Sequence, residues 1–276
     1  MQPDTNRLAR LLRETAAAEI LPRLRLASLD RKSDGSLVTE TDVAVQTRIR
    51  TALAEDFPDL PLLGEEMTAE EQHALLACAE RGVWVLDPLD GTSNYACGYP
   101  GFSTSLALIR GGEPVLGLVL DPVRDECFHA TRGGGAFLDG QPLRPFAPSR
   151  ELRDSLAAID FKRLPPERVP ALLAPGGFRS QRNLGSVALE WCWLAAGRFQ
   201  LYLHGGQKLW DYAAGRLIAS EAGVSSHLYR PYGTAPAEEL GLGERLAVAA
   251  ADAPLLAAWL DFVRLPLTPA PDRADG

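Results

Sequence analysis

The chain has 276 residues, 46% of them apolar, and 28 basic against 36 acidic side chains give it a formal net charge of −8. That length and composition suffice for one large core or two modest ones and exclude a disordered or fibrous chain. The acidic balance, with no run of five or more Lys or Arg, excludes a broad basic face for nucleic acid, so a small anionic substrate would need bound metal ions for local positive charge.

From Thr5 to about Leu26 the spacing of Leu8, Leu11, Leu12, Ala16, Ile20 and Leu24 predicts an amphipathic helix capped by Asp4 or Thr5. A polar loop from Lys32 to Asp42 follows, then a helix from Thr41 or Asp42 to Glu55 that stops before Pro58. Lys32 fits either a solvated surface lysine or a loop cation leaning over an acidic site. The apolar run Leu60 to Leu63 halts at Gly64-Glu65-Glu66, and Val83, Val85 and Leu86 make a strand that runs into Asp87, where Pro88 is expected to end the ladder. From Ser103 the period becomes two: strands Ser103 to Ile109, Pro114 to Leu120 and Cys127 to Thr131, with glycine turns between, predict an antiparallel meander.

The Pro-rich stretch Arg144 to Arg150 marks a boundary between an N-terminal α+β subdomain, 1–148, and a C-terminal α/β subdomain, 149–276. Beyond it come a strand over Ser155 to Ile159, helices around Glu167 to Leu173 and Ser186 to Ala196, and a strand over Phe199 to Leu203. A helix from Asp211 to Ala222 stopped by Gly223, a strand near Leu246 to Ala250 and a helix around Pro254 to Phe262 complete the pattern, with a loose tail from Pro266. Mixed helices and an antiparallel meander imply an α+β protein of layered helices and sheets.

The chemistry concentrates where strands stop. Asp87 and Asp90 are close enough to repel when both are ionised, and a divalent cation between them relieves that cost. Gly91 permits a tight turn and Thr92, Ser93 and Asn94 offer cap oxygens, so the N–H groups of a helix start would face an oxyanion such as phosphate. The D-P-x-D-G-T string alone is equally compatible with a polar turn carrying an Asx cap. Two further blocks favour the metal: Glu65-Glu66 after their apolar run, and Leu209-Trp210-Asp211-Tyr212-Ala213-Ala214-Gly215, with one aspartate heading a small-residue helix. Four scattered cysteines and four histidines in no metal-binding spacing leave oxygen as the ligand, hence a hard ion, and fit a reduced compartment. With neither a signal peptide after Met1 nor a membrane-length apolar run, a cytoplasmic protein without membrane contact is expected.

Gly64-Glu65-Glu66, Trp84 through Asn94 and Trp210 through Gly215, in that order, resemble the inositol monophosphatase family of magnesium-dependent, lithium-sensitive phosphatases; Lys32 with Leu37 to Asp42, and Gly185 to Leu189, add weaker anchors. The resemblance implies an α-β-α-β-α layered sandwich of the inositol monophosphatase and fructose-1,6-bisphosphatase type, usually a homodimer, that hydrolyses a small phosphorylated metabolite. It implies two or three Mg²⁺ ions held by Glu65, Asp87, Asp90, Asp211 and the Leu89 carbonyl, with Asp42 and Glu66 outside them. The attacking water would be oriented by Glu65 and Thr92, and the phosphate gripped by the Gly91 and Thr92 amides. Lys32, Asp42 and Asp90 complete the catalytic set that the resemblance implies. Ser186, Val187, His204, Asp90 and Asp211 fall at its substrate side.

Asp90-Gly91-Thr92 is also similar to part of the D-x-D-G-T string of haloacid-dehalogenase-like phosphatases, but position 88 is proline, which forms no aspartyl phosphate. Gly241-Leu242-Gly243 lacks the third glycine of a dinucleotide fingerprint, and Trp191 and Trp193 read as core or dimer packing. His204 stands where inositol-selective members carry a glutamate, and Val187 where a small residue is usual, so strict inositol selectivity is not expected. A second class stays open: a member that chiefly binds a larger assembly, as a bacterial relative does with the transcription machinery, while keeping its metal site.

Overall fold

The computed structural model describes residues 3–24, 29–31, 37–231, 233–237 and 239–265, with 29–31 and 37–39 as backbone only. Lys32 and the tail from Pro266 lie outside the described residues.

Asp4 caps helix α1 (Thr5–Thr15), its carboxylate accepting the Asn6 N–H at 2.9 Å. The α-helix ends well before Leu26: the chain loosens into a π turn over Ala16–Ile20 and closes in a 3₁₀ turn over Leu21–Arg23, since Pro22 brings no N–H for α-helical bonding. Strands β1 (Leu29–Arg31) and β2 (Leu37–Thr39) pair antiparallel and lead into α2 (Glu40–Asp56). After β3 (Leu62–Gly64) comes α3 (Ala69–Leu76), a helix the apolar periodicity did not reveal; its start was written as Thr68-x-x-Glu71, which forms a reciprocal capping box.

Strand β4 (Val83–Asp90) does not stop at Asp87 as expected. It runs through Pro88 to Asp90 because the pairing with β5 (Ser103–Arg110) shifts: Asp87 faces Ser105 and Asp90 faces Ser103, so Pro88 and Leu89 together oppose Thr104. The bulge asks no ladder bond of the proline nitrogen, and Pro88 instead accepts the Thr104 hydroxyl at 2.9 Å. The short helix α4 (Thr92–Ala96) follows. Gly91 itself caps it, at φ +91°, and an added Cβ would stand 2.9 Å from the Gly101 carbonyl. The side chains expected as caps are used elsewhere: the Thr92 hydroxyl donates to the Leu89 carbonyl at 3.0 Å, and the Asn94 amide to the Gly101 and Leu184 carbonyls, both at 2.6 Å.

With β6 (Glu113–Asp121), β7 (Glu126–Thr131), β8 (Gly135–Leu138) and β9 (Gln141–Pro142), the meander completes a seven-stranded sheet in the order β3-β4-β5-β6-β7-β8-β9, antiparallel except for β3 beside β4. The second half contributes β10 (Leu156–Asp160), α5 (Val169–Leu172), β11 (Ser180–Arg182), α6 (Val187–Ala195), β12 (Leu201–Gln207), α7 (Leu209–Ala222), β13 (Ser225–Tyr229), β14 (Arg245–Ala250) and α8 (Ala253–Val263). Its five strands lie in the order β11-β10-β12-β14-β13, the first three parallel. Strands β11 and β13 are short and carry polar residues, which hid them from the period-two pattern.

Helices α1 and α2 cover one face of the larger sheet, α6 and α7 fill the space between the sheets, and α8 covers the far face of the smaller one, giving the α-β-α-β-α layering. Trp191 lies in the middle layer, fully buried and edge-on to Tyr202 at 5.0 Å, while the half-buried Trp193 is sandwiched by Arg124 and Arg198. Among the described residues no helix is long and apolar enough to cross a membrane.

Candidate active site

A cleft of about 1610 Å³ opens where β4, β10 and β12 end and where α6 and α7 begin. Its wall brings together Glu65, Glu66, Asp87, Leu89, Asp90, Gly91, Thr92, Ser186, Val187, His204 and Asp211. Asp42 is buried behind the wall, near enough for its charge to act on Asp87.

Each acidic group is delivered by a different local device. Glu65 continues the parallel β3–β4 pairing, its N–H donating to the Leu86 carbonyl, and the amide of Gln72 on α3 donates to the Gly64 and Glu65 carbonyls at 3.0 and 3.2 Å. Asp87 stands at the β4 bulge, Oδ1 accepting the Leu89 N–H at 3.0 Å. Asp211 sits in the first turn of α7 and accepts the Lys208 N–H at 2.8 Å.

Asp90 is engaged more heavily than its sequence position suggests. Its Oδ2 accepts the Ser186 hydroxyl at 2.6 Å and the Ala188 N–H at 2.7 Å, and its Oδ1 the Val187 N–H at 3.2 Å, so it caps α6 from across the cleft.

Burial is the first cause of the electrostatics here, and it lifts all three aspartates. Asp87 is held well above the usual carboxylate range by burial and then by the charges of Glu65, Asp90, Asp211 and Asp42. Asp211 is raised by burial and by Asp90 and Glu65, partly offset by the Lys208 N–H and the charge of Arg163. Asp90 rises only to about 6, because its hydrogen bonds favour the ionised form against burial.

A cation suits this donor set: the groups are all oxygen, mutually repelling and wholly or partly buried, and the Leu89 carbonyl adds a neutral oxygen with a second lone pair beyond its bond from Thr92. Among the described residues no three acidic, histidine or cysteine side chains converge tightly enough to cage a metal on their own.

Behind these groups lies a run that sequence reasoning passed over, Ser103-Thr104-Ser105 on β5, fully buried in an otherwise apolar strand. Ser103 Oγ lies 3.2 Å from Ser186 Oγ, Thr104 holds Pro88, and Ser105 donates to the Trp210 carbonyl at 3.2 Å. The three hydroxyls thereby fix the β4 bulge and the starts of α6 and α7 to one another. Three adjacent hydroxyls at the head of an apolar strand were the available signal.

At the opposite end of the cleft, β12 delivers His204 just before a register shift against β14 that spans Gly205 and Gly206. The imidazole is buried, and the Gly206 N–H donates to Nδ1 at 3.3 Å, leaving the proton on Nε2, 3.6 Å from Asp160 Oδ2. Burial, helped by the charge of Arg163, lowers its pKa to about 4 against the pull of Asp160, so it is neutral. Glu190 on α6 was also missed, although a lone acid within V-A-L-E-W-C-W-L marks it. It accepts the Leu184 N–H at 2.8 Å, and burial raises its pKa to about 8.

Comparisons with known proteins agree with this architecture. A model of the inositol monophosphatase family matches residues 3–258. The Nus factor SuhB of Xylella fastidiosa is 36% identical over 222 residues, covering 77% of this chain and 74% of that protein. Inositol monophosphatase 1 of Solanum lycopersicum is 37% identical over 204 residues, covering 70% and 72%. Inositol monophosphatase-II of Staphylococcus aureus, solved with inositol monophosphate bound, superposes with a TM-score of 0.73 at 27% identity over 94% of this chain and 92% of its own. The same enzyme solved with 2′AMP bound gives 0.74 at 26% identity, over 93% and 92%.

Proposed function

This chain belongs to the inositol monophosphatase family, and on that premise we propose that its acidic cleft is a Mg²⁺-dependent active site whose metal ligands are Glu65, Asp87, Asp90, Asp211 and the Leu89 carbonyl. The family's reaction, hydrolysis of a small phosphate monoester, is the reaction of this chain. The observation that carries the assignment is the mutually repelling set of buried Asp87 with half-buried Asp211 and Glu65 beside the Gly91 turn.

Bound there, Mg²⁺ supplies the positive charge that neutralises the phosphoryl group and makes water a competent nucleophile. The protein's own groups do the rest. Glu65 and the Thr92 hydroxyl orient the attacking water, and the Gly91 and Thr92 N–H groups grip phosphoryl oxygens. Asp90 couples the metal site to α6 through Ser186 and the Val187 and Ala188 amides, so that helix and metal are placed as one unit. Asp42 and Glu66 support the ligands from outside. No covalent enzyme intermediate is involved.

On the substrate side, a carboxylate at position 204 would accept two ring hydroxyls, whereas His204 has its one acceptor nitrogen occupied by Gly206 and offers only an N–H. Strict inositol selectivity is therefore absent from this reading, consistent with a relative that takes 2′AMP in its crystals. The protein is taken to be a cytoplasmic, lithium-sensitive homodimer. Relatives named Nus factor keep open a second role in a larger assembly.

Phosphate release from inositol 1-phosphate and from adenosine 2′-monophosphate, with Mg²⁺, with EDTA and with Li⁺, tests all of this. Activity should require Mg²⁺, fall with excess Ca²⁺ and millimolar Li⁺ and show no strong inositol preference, and His204→Glu should raise that preference by about 5- to 100-fold. Full turnover in EDTA would overturn the metal assignment.

A further inference from the structure

Glu190 is a buried carboxyl without a part in the hydrolysis described above. It stands on α6 four residues after the cap Ser186, only 1% exposed and surrounded in its helix by apolar residues, yet it lines the cleft. An acid buried in such a place is costly unless its hydrogen bonds are made, and the bonds of Glu190 lead in two directions.

In one direction Oε1 accepts the Leu184 N–H at 2.8 Å, and the Leu184 carbonyl accepts the Asn94 amide at 2.6 Å. Asn94 belongs to α4, the helix that starts at the Gly91 turn. Leu184 is therefore held from α6 through its N–H and from α4 through its carbonyl. The next residue, Gly185, lies at φ +75°, and its carbonyl comes so near the turn that a Cβ on Gly91 would stand 3.1 Å from it. A shift of residues 183–185 would be felt at once by the Gly91 and Thr92 N–H groups.

In the other direction the carboxyl is bonded to the Tyr202 hydroxyl. That hydroxyl accepts the Gln207 amide at 2.7 Å, and Gln207 Oε1 accepts the Trp191 indole N–H at 3.1 Å. All four side chains are buried. Gln207 ends β12, one residue before the Lys208 N–H that donates to Asp211. The bonds run from the phosphate turn, across α6, to the approach to Asp211, and both arms meet at Glu190.

We propose that Glu190 is a positioning residue for phosphate capture, holding residues 183–185 against the Gly91 turn and tying that turn to the end of β12. The proposal rests on the phosphatase reading of the cleft and deepens it. The Leu184 N–H requires an acceptor at position 190 and no charge, because burial raises the Glu190 pKa to about 8 and the acid form still accepts through its carbonyl oxygen. The turn grips phosphoryl oxygens in the bound ester and in the transition state alike, so loosening it falls on KM rather than kcat.

The test is Glu190→Met, which keeps the volume and removes the acceptor, beside Glu190→Gln, which keeps both, assayed with inositol 1-phosphate at saturating Mg²⁺. Glu190→Met should raise KM and the inhibition constant of inorganic phosphate about five- to twentyfold, with kcat and the Mg²⁺ midpoint changed less than about twofold, and Glu190→Gln should recover most of the loss. If Glu190→Met does not fold, Glu190→Asp, which draws the acid back from Leu184, takes its place with the same expectation. Asn94→Ala, at a half-buried position, cuts the same link beyond Leu184, so the double variant should be no worse than either single one. Unchanged KM in a folded variant, a loss carried by kcat, no recovery in Glu190→Gln, or additive effects in the double variant would each overturn the proposal. If no ester is hydrolysed with Mg²⁺, the phosphatase reading fails, and hydrogen exchange in the metal-free protein decides whether Glu190 holds the turn. Faster exchange over both 183–185 and 91–98 in the variant keeps that role, and unchanged protection over 91–98 ends it.

Discussion

Strands β4 and β12 finish at the same cleft by the same backbone device, a register shift at the strand end, and the two ends present opposite chemistry. At β4 the shift leaves Asp87 and Asp90 buried beside Glu65 and Asp211, and burial together with these neighbouring charges holds Asp87 and Asp211 above the ordinary carboxylate range. At β12 the shift follows His204, a buried group kept neutral, with cations beyond it. An irregular strand end decides only where side chains emerge; the charge and burial of the groups that emerge decide what the site can hold.

The sharpest way to break that comparison is to remove charge at β4. Asp87→Asn and Asp90→Asn should each lower kcat by about 10²-fold or more. Melting without metal should separate them. Asp87→Asn relieves repulsion and raises the metal-free Tm while shrinking the gain from added Mg²⁺. Asp90→Asn weakens bonds from Ser186 and Ala188 and lowers stability by ~1–3 kcal/mol. Equal shifts in both variants would mean that the two carboxylates do not differ as their contacts imply.

At the β12 side the buried groups favour their neutral forms, and pH distinguishes them. Glu190 has its pKa raised to about 8, so its contribution is complete below its ordinary 4.5 and is lost as pH rises through 8. Glu190→Gln, which keeps the acceptor for the Leu184 N–H, should therefore stabilise the protein at pH 9 by ~2–4 kcal/mol and leave it nearly unchanged at pH 4.5. Urea midpoints at the two pH values measure this, and a variant less stable at pH 9 would contradict it.

His204 has the opposite sign. Its pKa is lowered to about 4, so its contribution is present above 6.5 and is lost as pH falls towards 4. The acid limb of stability should flatten by ~1–3 kcal/mol in His204→Asn, read as the difference between the two pH–stability curves. An identical acid limb in the variant would show that His204 is not the buried neutral group described.

The smallest expected effect is at Thr92, whose hydroxyl donates to the Leu89 carbonyl. Thr92→Ala should lower kcat by about tenfold with the Mg²⁺ midpoint nearly unchanged, and Thr92→Ser should restore most of it. A large shift of that midpoint would make Thr92 part of the metal site rather than a guide for water.

Much of this molecule could be read from its residues. The meander from Ser103, the helix expected from Asp211 to Ala222 and found over Leu209–Ala222, and the layered α+β class follow from hydrophobic period and turn glycines. Elements without that period escaped: α3, announced only by its capping box, and the short strands β11 and β13, stabilised by neighbours rather than by their own pattern. Pro88 misled because its rule holds for a regular ladder, whereas a bulge needs no donor at that place.

The same division applies to the site. The three motifs determined that carboxylates would be present at strand and helix ends, because local backbone preference and spacing are properties of the chain alone. That Asp90 would cap α6 through contacts 96 to 98 residues away, that Ser103, Thr104 and Ser105 would fasten three elements together, and that Arg163 would line the same cleft were decided only by folding. Burial and contact between distant segments set the charge of a group, and neither exists until both sheets are packed on the helices between them.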